Sequence, residues 1–146
     1  MSLFNTLSVS ASGLAAQRTR AELLTENLAN SETTRTPEGG PYRRKDAVFS
    51  SQPEVSPFAG VFQNALTSEE TGVQVSDIIE DSSEPEQRYL PGHPDADANG
   101  YVAFPKMNPA EDMVDLLSAS RGYEANVSAM TAIKDMISKS IDLMRS

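Results

Sequence analysis

The sequence predicts an α+β protein in which long N- and C-terminal helices form a coiled-coil-like pair around a small β-rich insertion. Three observations carry this prediction. All nine prolines lie between Pro37 and Pro109, so helix-breaking residues are confined to the middle of the chain. Apolar residues recur at seven-residue spacing at both ends, the mark of a helix stripe. Charge divides the same way: residues 46–112 carry thirteen acidic and two basic side chains, while residues 1–45 carry six basic and four acidic. The predicted division is an N-terminal helical arm over 1–35, a β-rich middle over 36–107 and a C-terminal helical arm over 108–146.

The first helix is read from Leu7, Leu14, Ala21 and Leu28, with Leu3, Ser10, Gln17 and Leu24 at the complementary position. Two of those eight are polar, which makes the stripe a weak coiled-coil former alone. Ser2 is placed to cap its start. Asn30-Ser31 and the polar run to Pro37 end it.

The second helix opens on Asn108-Pro109-Ala110-Glu111, an N-cap residue followed by Pro at the first helical position and Glu at the third. One heptad position reads Leu116, Tyr123, Met130, Ile137, Met144, and its partner Met113, Ser120, Val127, Lys134, Ile141. Residues 109–144 would span about 54 Å. Gly122 interrupts this helix at a cost of about 1 kcal/mol against Ala, which suits close packing or a bend. Small residues on several faces of both helices suit more than one close neighbour.

In the middle, Thr36–Pro41 reads as a turn. Gly72–Ile78 alternates like a half-buried strand, and Gln87–Leu90 and Tyr101–Phe104 are short strand candidates around a Pro- and Asp-rich loop.

Composition excludes several classes of function. A net charge of -9 and a pI near 4.5 argue against nucleic acid and against an anionic membrane surface as main partner. With no cysteine and one histidine, His93, thiolate sites and multi-histidine metal sites are out of reach. No run approaches a membrane span of roughly 20 apolar residues, and the first residues lack a signal-peptide pattern.

Asp95-Ala96-Asp97-Ala98-Asn99-Gly100 matches the first half of a calcium loop, and a calcium-binding module is the alternative reading of the chain. The second half fails, because Lys106 stands where a bidentate Glu is needed and Pro105 blocks the exiting helix. A tight acidic turn with Asn99-Gly100 at positive φ fits the segment better. Paired carboxylates such as Glu69-Glu70 lack the apolar shell that acid–base catalysis requires. Tyr42-Arg43-Arg44-Lys45 is the only basic cluster, and Arg43 and Arg44 are matched with Asp95 and Asp97 as subunit contacts.

These residues resemble a known family. Asn27-Leu28-Ala29-Asn30 closing an amphipathic helix, and Arg-x-Tyr-x-Ala-Asn within Ser118–Val127, resemble the terminal motifs of bacterial flagellar rod and hook proteins. Thr36–Arg44 and Pro91–Asp97 are similar to segments of proximal-rod members. The resemblance implies a structural subunit and not an enzyme, with no cofactor. It implies export without a cleaved signal through the flagellar type III apparatus, and helical polymerisation into a rod that crosses the periplasm and transmits torque. Implied partners are other rod proteins, copies of the chain and the export-gate adaptor at the rod base, with no nucleic acid and no membrane insertion. Stripe and motif residues then form the expected assembly interface: Leu7, Leu14, Leu24, Asn27, Leu28 and Asn30 in the first arm. In the second they are Leu116, Arg121, Tyr123, Asn126, Val127, Met130, Ile137 and Ile141.

Overall fold

The chain runs helix, two β-hairpins, helix. A computed structural model describes residues 3–53 and 71–145, so Ser2, the expected cap, lies outside the described residues. Helix α1 spans Leu3–Ala29 and helix α2 spans Pro109–Arg145. The Asn108 carboxamide accepts the Ala110 N–H at 3.1 Å, satisfying one of the donors left open at the start of α2.

Strands β1 (Lys45–Pro53) and β2 (Thr71–Glu80) pair antiparallel, from Lys45 opposite Glu80 to Pro53 opposite Thr71. The register slips between Val48 and Phe49. Ser76 is the extra residue there, and its hydroxyl donates to the Val48 carbonyl at 3.1 Å, the local disruption expected of a bulge. Strand β1 escapes the sequence pattern because Ala47-Val48-Phe49 is a contiguous apolar triplet without alternation.

Strands β3 (Glu86–Tyr89) and β4 (Tyr101–Phe104) form the second hairpin. Of Asn99-Gly100, only Gly100 takes positive φ, at 83°. It also lets the Tyr89 ring approach, since a Cβ there would meet that ring at 2.9 Å. Tyr89 and Tyr101 meet edge to face across the strands with ring centroids 5.4 Å apart.

Helices α1 and α2 pack antiparallel, as the side-chain matches Gly13 with Asn126, Gln17 with Gly122 and Arg20 with Asp115 require. The hairpin β1–β2 lies against α1, where the Val73 N–H donates to Ser12 Oγ at 3.0 Å. A two-stranded sheet is marginal alone, so this support matters. Among the described residues, the buried apolar ones are few: Ala16, Leu23, Leu24, Tyr42, Val102, Ala119 and Ile133.

Candidate assembly interface

The face that α2 turns toward α1 is not the one its apolar spacing predicts. Asp112, Ala119 and Ile133 are buried there, with Gly122 and Asn126 half-buried between them. The contacts are close. A Cβ on Gly122 would meet Gln17 at 3.2 Å, and one on Gly13 would meet Asn126 at 3.1 Å. Gly122 therefore serves close packing. Of the two expected heptad positions, Leu116, Met130 and Ile137 are half-buried, but Met113, Ser120, Val127, Lys134 and Ile141 are all exposed. Packing small and polar residues inward turns large apolar ones out: Met113 is 53%, Val114 66% and Leu117 60% exposed. These three sit on neighbouring helical positions.

The remaining expected interface residues divide likewise. Leu7, Leu14 and Leu28 are half-buried beside the seam, and Arg121 and Tyr123 are exposed. Asn30 is half-buried at the end of α1, its Nδ2 donating to the Glu26 carbonyl at 3.0 Å. Leu24 and Asn27 are interior in the single chain, at 4% and 0% exposure, where the start of β1 folds over them.

Asn27 is the hub of that junction. Its Nδ2 donates to the Lys45 carbonyl at 2.9 Å, and its Oδ1 accepts the Lys45 N–H at 2.9 Å and the Tyr42 hydroxyl at 3.0 Å. Burial, with Glu26 nearby, pushes the Tyr42 hydroxyl up to about 12. Lys45 Nζ reaches Glu26 at 2.7 Å. Asn27→Leu should destabilise the protein by about 2–4 kcal/mol, since it orphans the Lys45 N–H and carbonyl in a closed site. Urea unfolding measures this, and a loss under about 0.5 kcal/mol would show that water replaces the carboxamide.

Of the expected subunit contacts Arg43, Arg44, Asp95 and Asp97, the last three are engaged within the chain. Arg44 bridges Asp112 at 3.2 Å and Asp46 at 3.3 Å. Asp95 accepts the Thr34 hydroxyl at 2.8 Å and faces Arg35 at 3.6 Å, joining the second hairpin to the segment after α1. Asp97 Oδ1 accepts the N–H groups of Asn99 and Tyr101, both at 2.8 Å, and so holds the turn of its own loop. Arg43 stays exposed.

Asp112 carries no sequence signal beyond its place in the first turn of α2, where an acid ordinarily faces the helix dipole in water. Here its carboxylate is fully enclosed. Burial raises its pKa, Arg44 opposes that, and Asp46, Asp115 and Glu111 add to it. Among the described residues, no group of three or more acidic or histidine side chains is placed to hold a metal ion. No described helix is long and apolar enough to cross a membrane.

Comparison with known proteins matches residues 98–143 to the family model described as flagellar basal body rod FlgEFG protein C-terminal. Across nearly its whole length the chain is 43% identical to the flagellar basal-body rod protein FlgC of Bacillus subtilis, covering 98% of this chain and 99% of that one. The proteins of the same description from Borreliella burgdorferi and Salmonella typhimurium are 38% and 36% identical, covering 99% and 98% of this chain and 99% and 98% of theirs. The two terminal helices, the seam between them and the outward apolar face of α2 thus lie in a chain that belongs to the FlgC family of flagellar basal-body rod proteins.

Proposed function

We propose that this rod protein polymerises helically with copies of itself and with other rod proteins, through its terminal helices, to build a torque-transmitting shaft across the periplasm. The observation that carries this reading is the inversion of α2. Its inner face mixes Asp112, Ala119, Gly122 and Asn126 with Ile133, while Met113, Val114 and Leu117 face outward on adjacent positions. A monomer gains nothing from that arrangement, whereas a helix with neighbours on both sides buries both faces. In this reading Leu7, Leu14, Leu28, Tyr123, Val127 and Ile141 complete the contact surface, and Arg43 is a polar contact at its edge.

The same reading has the chain exported by the flagellar type III apparatus without a cleaved signal, and seated near the export-gate adaptor at the rod base. The helical arms over 1–35 and 108–146 would assemble, and the middle over 36–107 would face outward between them. Purified hook–basal bodies test the core of this. The chain should be a stoichiometric component, and its deletion should stop rod growth. Basal bodies of normal length from the deletion strain would end the proposal.

A further inference from the structure

Asn99 alone among the asparagines of the chain is followed by glycine. That pair is prone to an internal reaction, because glycine has no Cβ to shield its backbone nitrogen. Hydroxide removes the Gly100 N–H proton, and the nitrogen attacks Cγ of the Asn99 carboxamide. An N–Cγ bond forms, the Cγ–Nδ2 bond breaks and ammonia leaves. Water then opens the five-membered imide at either carbonyl, leaving aspartate or isoaspartate at position 99.

The turn itself requires this pair. Gly100 has a φ of 83°, and a Cβ there would meet the Tyr89 ring at 2.9 Å. No other residue fits the position without strain. Asn99 is exposed in the loop that joins β3 to β4, so water and hydroxide reach its carboxamide.

The same loop withholds the nucleophile. The Gly100 N–H donates to the Asp97 carbonyl at 3.0 Å, so its proton faces a carbonyl oxygen and not solvent. Asp97 Oδ1 accepts the N–H groups of Asn99 and Tyr101 at 2.8 Å each, which clamps the chain on both sides of the reacting nitrogen. Hydrogen bonds to a carboxylate are stronger than those between neutral groups. Two backbone bonds close the frame: the Asp97 N–H donates to the Tyr101 carbonyl at 2.8 Å, and the Leu90 N–H to the Gly100 carbonyl at 2.9 Å.

We propose that Asn99-Gly100 is a site of spontaneous deamidation and that Asp97 is the residue that keeps it closed. The reaction then runs only from loop states in which the Asp97 bonds have opened. Isoaspartate carries the main chain through its side-chain carbon. It would therefore insert an extra backbone atom just ahead of Tyr101, which pairs with Tyr89 at the end of the hairpin. A new negative charge would arrive beside Asp97 as well. The proposal is independent of the rod reading.

The purified full chain is incubated in mildly alkaline buffer, and peptide mapping by mass spectrometry follows conversion at Asn99. A synthetic peptide covering residues 94–104 sets the unguarded rate. The wild-type chain should react at least about tenfold more slowly than the peptide, the factor that about 1.4 kcal/mol of loop closure supplies. Asp97→Ala should recover most of the peptide's rate, with faster amide exchange at Gly100. Asp97→Asn keeps an accepting oxygen and should retain most of the protection. A wild-type chain that reacts as fast as the peptide overturns the proposal, and this comparison stands even where Asp97→Ala unfolds. A folded Asp97→Ala chain that reacts as slowly as the wild type overturns it too.

Discussion

Arg44→Met should destabilise the protein by about 3–5 kcal/mol, the loss expected when one member of a buried ion pair is removed. The Asp112 side chain is 0% exposed, and among the described residues its cationic partner is the Arg44 guanidinium at 3.2 Å. The pair between Arg44 and the exposed Asp46 adds little, as surface pairs do. Asp112→Asn in the Arg44→Met background should recover most of the loss, because a neutral carboxamide needs no counter-charge. The pH dependence has a definite sign. The Asp112 carboxyl holds its proton more tightly folded than unfolded. Its contribution therefore favours the fold fully below the ordinary value of 3.8 and fades as pH rises through the raised one. Stability of the wild type relative to Asp112→Asn should fall as pH rises above the ordinary value of 3.8, and more steeply in the Arg44→Met background. Urea unfolding at a series of pH values reads both effects. An Arg44→Met loss below about 1 kcal/mol would mean that the carboxylate is solvated or neutral.

Leu117→Asp should stop assembly while leaving the monomer nearly unchanged. Leu117 is 60% exposed in the isolated chain, so a charge there should alter folding stability by no more than about 0.5 kcal/mol. In a subunit contact the same carboxylate must leave water without a partner, at several kcal/mol. At about 1.4 kcal/mol per tenfold, this weakens association by at least a hundredfold. The readout is loss of rods and of swimming alongside an unchanged urea midpoint. Val114→Asp should behave alike. Leu28 and Ile137 are poorer sites for this test, because both are half-buried against the helix seam and a charge would unsettle the monomer as well. Normal rods in the Leu117→Asp strain would remove the outer face of α2 from the interface.

The helices were legible because their signals are local. Pro109 behind Asn108 marks the start of α2, and the confinement of proline to the middle marks the extent of both helices. Strand β2 and the second hairpin also follow from alternation and turn chemistry. What escaped is non-local. Apolar periodicity reports every face that avoids water, so on α2 it picked out rows containing Met113 and Val127, which point away from α1. The row that does pack on α1 is Asp112, Ala119, Gly122 and Asn126, too small and polar to register. Arg44 reads as surface charge in sequence, since nothing near it in the chain foretells Asp112, which arrives from another element. Asn27 stood out through a motif, but its role could not be read without the return of the chain at Tyr42 and Lys45.

That return gives Asn27 a mechanical meaning. A carboxamide is a peptide group without a chain attached, so the last turns of α1 behave toward Lys45 as one residue of a third strand would. The Tyr42 hydroxyl adds a further point of fixation on the same oxygen. Two bonds in one plane resist twisting, and the third resists tilting. A load applied to the first hairpin is therefore handed to the helix at a stiff elbow, even though the connecting segment has the turns and glycines of a loose one. Asp at position 27 would lack the donor and Gln would set the group one carbon too far out, so stiffness at this joint depends on a single side-chain length.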